Sequence, residues 1–377
     1  MVRSLVLLAL GATTIVAHAR ECPAVVVGTN NAATDASNVQ QAVDACATVR
    51  LQGSFRFSGM ETGDPLRVIT LSRSVNVVGQ LDSEGRTPQI VGGQRPFLVD
   101  APGAVVRIKG LRFVRPVSRA IQVGNAMEAM VANCVIEAVE PVEFGVAAFG
   151  IVVGGPFQSP INRVVVVDNT IIAGPPVEVG IILDHRSSRA IASISIYRNE
   201  VRAKAHGIDL RTIGGYAQVN YNRITIENSD RTGDLRTNQL VGGIRCWDEG
   251  ACSIIGNRIE SHHPNSSGVR LQTTAGAIVE NNSIELSPPR GSTPGEQSSG
   301  VQLIEGAKQN LVGRNQVGGA ARTAFSVSGP DNVFVLNRHP GFVPSFVDTE
   351  IGEGALRTVV VGESGSISDL GTGSVVR

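Results

Sequence analysis

Gly207-Ile208-Asp209-Leu210, followed by Val219-Asn220-Tyr221-Asn222-Arg223-Ile224, carries two marks that return along the chain and decide its fold. The first is a small residue followed by apolar-x-apolar, at Ala120, Gly150, Gly180, Gly207, Gly243, Gly268, Gly300 and Ala324. The second is apolar-x-x-Asn-x-apolar, with its asparagine at Asn133, Asn169, Asn199, Asn222, Asn257, Asn282 and Asn315, and a decayed copy at Asn337. Successive asparagines lie 36, 30, 23, 35, 25, 33 and 22 residues apart, a base near 22 enlarged by insertions. Three short strands and three bends fit in that length, whereas helical repeats need more. The pattern predicts an all-β solenoid, a parallel β-helix. An Asn at one bend of each coil would bond to backbone and to the equivalent Asn above and below, satisfying buried polar groups.

Composition agrees with many short β-branched strands and tight turns. Glycine is 43 of 377 residues, aromatics are 4% and hydrophobics 42%. Formal net charge is zero, so no bulk attraction to nucleic acid or membrane is implied. Met1-Val2-Arg3, the apolar run Ser4 to Val16 and Ala17-His18-Ala19 read as a secretory signal peptide over residues 1–19. That run is too short to span a bilayer, and the expected product is secreted or periplasmic. Five cysteines in an exported chain permit disulfides. Cys22 with Cys46 would tie down the N-terminal segment, and Cys246 with Cys252 would close a small loop. Cys134 is left over, expected as a buried, inert thiol.

Ser37-x-x-Gln40 reads as a capping box, and Val39, Ala42, Val43 and Cys46 share one helical face. A short helix within residues 20–48 is therefore expected to cap a β-helix over 49–340. The tail 341–377 would add capping strands or cover the last coil. With these features the chain resembles the pectin-lyase-like superfamily of right-handed parallel β-helix proteins, over roughly residues 30 to 340. The resemblance implies the fold. The Asn-Thr-Asp and Gly-His-Gly motifs of polygalacturonases, the acidic calcium clusters of pectate lyases and the Asp-Pro-His of mannuronan epimerases do not occur in their places.

With the small residue as position zero, positions one and three point inward, and positions two and four are expected to face solvent. Position two then runs Gln122, Val152, Ile182, Asp209, Arg245, Arg270, Gln302, Ser326. Position four runs Gly124, Gly154, Asp184, Arg211, Trp247, Gln272, Ile304, Ser328. Charge gathers in the four middle coils. Long insertions at Glu137 to Phe149, Glu227 to Gly242 and Leu286 to Ser299 all leave from one side and would wall this face.

Two readings of the face stand side by side. Asp184 beside Arg211 and Asp209 beside Arg245 make ordinary surface ion pairs. Alternatively, Arg270 next to Arg245 favours an anionic ligand between them, and Trp247 offers a platform for a sugar ring or folds over the Cys246 to Cys252 loop. Asp184 and Asp209, about 8 Å apart by backbone spacing, would suit inverting hydrolysis. For β-elimination of a uronate, Arg211, Arg245, Arg270 or His185 would share the roles of base and carboxylate holder. The catalytic candidates are thus Asp184, Asp209, Arg211 and Arg270, with His185, Arg245, Trp247 and Gln272 binding substrate. His206 is expected to point inward. His262-His263 has no nearby Cys or acidic partner at metal spacing, so no metal or other cofactor is expected, with calcium at a wall loop left open.

These features point to an exported polysaccharide-active protein, a lyase, hydrolase or epimerase acting on an acidic glycan. The alternative is a non-catalytic, adhesin-like β-helix in which the same face only holds its ligand.

Overall fold

The computed structural model describes residues 22, 25–57, 68–141, 148–154, 161–172, 178–184, 191–211, 215–227, 241–247, 251–295, 298–304, 306–344, 346–363 and 365–377. The signal peptide expected over residues 1–19 lies outside them. So do parts of the three insertions expected as walls, residues 142–147, 228–240 and 296–297.

Each coil lays down three short strands, and each strand pairs in parallel with its equivalents one coil before and after. One row contains Phe149–Gly154, Val179–Asp184, His206–Arg211, Val241–Trp247, Ser266–Gln272 and Ser299–Ile304. A second contains Arg163–Val167, Ser193–Tyr197, Tyr216–Asn220, Ala251–Ile255 and Ile278–Glu280. A third contains Val135–Glu137, Thr170–Ile172, Glu200–Ala203, Arg223–Ile226, Arg258–Ser261 and Ser283–Leu286. The result is a parallel β-helix, right-handed as parallel crossovers are when right-twisted strands feed them. The early coils, without the asparagine mark, join the same rows through the long strands Phe97–Lys109 and Arg119–Ala132. Past Pro340 the pairing goes on, Val333–Val335 with Val359–Val361 and then Val359 with Val375.

The asparagine mark is a ladder. Asn169, Asn199, Asn222, Asn257, Asn282 and Asn315 each donate both their backbone N–H and their Nδ2 to the Oδ1 of the next rung, at 2.9–3.0 Å, and the series runs on to Asn337. These rungs are buried. Asn337 closes the series by donating to Glu363 Oε1 at 2.7 Å. The residue before each rung, from Asp168 and Arg198 to Arg314 and Leu336, adopts a left-handed φ of 54–66°, which turns the chain through the bend.

One expected rung is corrected. Asn133 occupies the left-handed position, φ 51°, and Cys134 takes the ladder slot, its N–H donating to Asn169 Oδ1 at 2.9 Å. The thiol is buried and accepted by the Ala132 carbonyl at 3.4 Å. Burial pushes it up to about 12, so it stays protonated at neutral pH. A second, shorter ladder was not expected: Asn310 donates to Asn332 Oδ1 at 2.9 Å, at the bend between the first and second rows.

The two marks meet inside each coil. A side chain on Gly180, Gly207, Gly243, Gly268 or Gly300 would collide with Val201, Ile224, Ile259, Ile284 or Val317, in each case the apolar residue two after the ladder Asn of the same coil. Position zero is small because that residue fills its space across the core.

The helix is Ala32–Ala45, and its N-cap is Asn31, whose side chain accepts from the Thr34 N–H at 3.1 Å. Ser37 is inside the helix, so the expected capping box is corrected. Gln40 instead docks the helix on a strand, its amide exchanging bonds of 3.0 and 2.9 Å with Thr70 backbone. Val39, Ala42, Val43 and Cys46 are buried as their spacing requires. Asp35, fully buried, accepts from Thr29, Asn31 and Arg56 backbone N–H groups at 2.7–3.1 Å and so ties the cap to the first coil. Cys22 pairs with Cys46 and Cys246 with Cys252; Cys246 and Cys252 lie inside the core.

Candidate functional site

The charged residues stand in the expected rows. Pairing sets Asp209 against Arg245 and Arg245 against Arg270. It sets Asp184 against Arg211, Arg211 against Trp247 and Trp247 against Gln272. Of Asp184 the backbone is described and the side chain is not, and His185 lies outside the described residues.

Exposure differs from expectation. Position two points away from the core, yet Gln122, Val152, Ile182, Asp209 and Gln302 are buried. Val152, Val179 and Ile182, with Phe149 against them, form an apolar cluster on the outside of the coil wall. Long neighbouring side chains close over the rest of the row.

Asp209 shows this most clearly. Its side chain is 0% exposed, and two guanidiniums close on it. Arg245, 15% exposed, donates Nε and Nη2 at 2.7 and 2.6 Å from the next coil. Arg211 donates from two residues along the same strand at 2.8 and 2.7 Å. Burial alone would push the Asp209 carboxyl up, but the Arg245 hydrogen bonds and the charges around it hold it below the ordinary aspartate range. The surface pairing expected here is therefore corrected to a buried clamp. A proton donor needs the opposite shift, so the geometry gives Asp209 the task of holding Arg211 and Arg245 in place. Arg245 is fixed from its other side as well, 5.3 Å from the centroid of the half-buried Trp247 ring.

His206 joins this cluster, contrary to the expectation that it points inward. Ala205 and His206 both donate their N–H groups to the Glu178 carbonyl, at 2.8 and 2.9 Å, a doubling that breaks strand alternation just before Gly207. The imidazole ends up buried within reach of the charges of Asp209, Arg245, Arg211 and Arg270. Burial pushes it down to about 4, so it is neutral at pH 7. The small residue directly after it was the available signal, since an irregular strand start lets a side chain change face.

The third insertion is largely described and leans on the coil before it, Gly295 donating to the Pro264 carbonyl at 2.9 Å. There His262 has an acidic neighbour after all, Glu260 Oε1 at 3.2 Å from its Nε2. Among the described residues no three His, Cys, Asp or Glu side chains gather as a metal ion requires. No described helix is long and apolar enough to cross a membrane. A cleft of about 700 Å³ opens elsewhere, on the third row, between Asp82, Arg86, Arg112 and Glu137. Its guanidiniums are paired to carboxylates, Arg86 to Asp82 and Arg112 to Glu137 at 2.7 Å each.

No protein-family model matches the chain, and no characterised protein matches it in sequence. Among solved structures it is similar to DFA-IIIase from Arthrobacter chlorophenolicus A6. A variant in complex with DFA-III shares 14% identity over 94% of this chain and 85% of that one, with a TM-score of 0.45. The complex with GF2 shares 14% over 93% and 85%, TM-score 0.42, and the enzyme without its lid 12% over 78% and 92%, TM-score 0.40.

Proposed function

We propose that the chain is a polysaccharide-active β-helix protein of the pectin-lyase-like kind that holds an acidic glycan over the central coils of the first row. The observation that carries this reading is the Asp209 clamp. A fully buried carboxylate orders two guanidiniums, one of them stacked on the chain's single tryptophan, in a row that continues into Arg270. Ordered guanidiniums beside an aromatic ring suit a sugar carboxylate or sulfate with its ring on Trp247. Arg245 and Arg270 hold the anionic group. Asp184 and His185 are the proposed proton acceptors for β-elimination, in which neutralising a uronate carboxylate acidifies the neighbouring C–H. Two-carboxyl hydrolysis is not supported, because Asp209 is committed to its arginines.

The same commitment favours a second reading, a protein that binds without cleaving. At positions two and four of the four central coils Asp184 is the one other carboxylate. Two disulfides are compatible with the secreted or periplasmic location proposed for either case.

The test is a panel of polygalacturonate, alginate and chondroitin sulfate, with the ultraviolet absorbance of unsaturated ends and direct binding read in parallel. New absorbance lost in Asp184→Ala supports the lyase. Binding without absorbance, lost in Arg245→Ala, supports the binder. Binding of none of the three sinks both.

A further inference from the structure

Glycines on this face are mostly explained by collision or by a left-handed φ, but neither reason applies at Gly242. A Cβ there would sit 3.4 Å from Ser267 Oγ and the Ser267 carbonyl and 3.6 Å from His206 Nδ1, ordinary contact distances, and its φ is not positive. Strand pairing places Gly242 between the two, against His206 on one side and Ser267 on the other. What the missing side chain leaves is a recess whose walls are an imidazole nitrogen and a hydroxyl.

Both wall atoms are buried and have no hydrogen-bond partner among the described residues, as does Oε1 of Gln302 farther along the face. Ser267 is 0% exposed, Gln302 8% and His206 9%. A buried polar atom without a partner costs about 1–3 kcal/mol, so three on neighbouring coils of one face are a feature to be explained by a group that satisfies them. Their chemistry defines that group. Gln302 Oε1 only accepts, Ser267 Oγ–H donates and accepts, and a neutral imidazole nitrogen does one or the other according to its tautomer. A hydroxyl, which both donates and accepts, can meet each of these demands in either imidazole tautomer, whereas a carboxylate, which only accepts, leaves Gln302 Oε1 without a donor.

We infer that the recess over Gly242, between His206 Nδ1 and Ser267 Oγ, is a subsite for a hydroxyl group of a sugar or other polyol. This deepens the acidic-glycan reading. The face is divided lengthwise, with a hydroxyl-reading edge on His206, Gly242 and Ser267 and an anion-reading row on Arg245 and Arg270. The substrate class it selects is a uronate or sulfated sugar with an unsubstituted hydroxyl turned toward that edge.

The test uses the full chain and glycerol as a minimal polyol, so it does not depend on finding the glycan. The ¹⁵N shifts of the His206 ring are followed during titration of the wild type, Gly242→Ala and Ser267→Ala. The expected result is a saturable shift in the wild type that is lost in Gly242→Ala, whose added methyl fits the recess without a clash. An unperturbed His206 ring in glycerol, or an equal shift in Gly242→Ala, overturns the proposal. Ser267→Ala guards against misfolding of the glycine variant, and is expected to weaken the shift about tenfold in concentration. Failure of the acidic-glycan reading looks different, because polygalacturonate, alginate and chondroitin sulfate then all fail to bind while the glycerol shift at His206 remains.

Discussion

The guanidinium of Arg245 reaches back one coil to the carboxylate of Asp209 and grips it through two parallel hydrogen bonds, 2.7 and 2.6 Å long. Removing one partner of a buried pair strands the other, at a cost of about 3–5 kcal/mol. Asp209→Ala is therefore expected to lower unfolding free energy by that order in urea titrations, and to cost more than Arg211→Ala, whose side chain is 31% exposed. Equal, small effects from both would show that the clamp contributes nothing beyond a surface pair.

Two pH windows should separate. The unfolded chain protonates His206 near 6.5, whereas the folded site resists until about 4. Unfolding then takes up a proton between those values, and stability falls as pH drops from 6.5 toward 4, by about 2–3 kcal/mol. Asp209 acts lower down. Its folded value lies below the ordinary 3.8, so its contribution is present above that pH and is lost only as pH falls through the lower folded value. His206→Gln should flatten the upper window alone, read from urea midpoints at a series of pH values.

The contact between the two repeat marks predicts non-additivity. Gly243→Ala forces a methyl onto Ile259 and toward the Gly268 carbonyl, and should cost about 1–3 kcal/mol. Ile259→Ala opens a cavity, at about 2–5 kcal/mol. Combined, the two should cost less than their sum, since the methyl enters the space the isoleucine vacates. Strict additivity in thermal denaturation would mean that the residues do not share that space.

At a ladder rung, Asn222→Leu removes the acceptor for the Asn199 N–H and Nδ2 and the donor to Asn257. Two or more buried groups lose partners, for a loss of about 2–5 kcal/mol. Asn337→Leu, at the end of the series, should cost less. Denaturant midpoints for the pair provide the comparison.

Cys134 should be inert toward a thiol reagent such as DTNB at neutral pH until the protein unfolds, given its burial and a thiol pushed up to about 12. Rapid labelling of the native protein would contradict its place in the ladder.

The coil architecture was legible because glycine and asparagine recur for reasons that repeat in every coil: a collision across the core and an amide hydrogen bond to the next bend. The same local reasoning misplaced one rung. Asn133 and Cys134 are adjacent, and an asparagine is also well suited to the left-handed position before the rung. Spacing alone does not distinguish the two slots. The helix start was missed because Ser37-x-x-Gln40 imitates a cap, while Gln40 is committed to Thr70 thirty residues away. Burial of position two was invisible for a different reason. Alternation tells which way a side chain leaves the strand, not whether arginines from the next coil and from two residues along fold over it, as they do at Asp209. The shorter Asn310 to Asn332 ladder has only one amide step, too little repetition to stand out.

Every rung of the long ladder from Asn169 to Asn315 gives one Nδ2 hydrogen to a carbonyl of the coil before it, but its backbone N–H and its other Nδ2 hydrogen go to the Oδ1 of the rung that follows in sequence. A nascent chain leaving a ribosome or a secretion channel would therefore always carry one unsatisfied amide at its growing tip, wherever synthesis had reached. Glu363, the acceptor after Asn337, is what ends that condition. The protein is in this sense written with a direction and a full stop, so that a whole coil excised from the middle rejoins rung to rung, while the loss of the last fifteen residues leaves the sentence open.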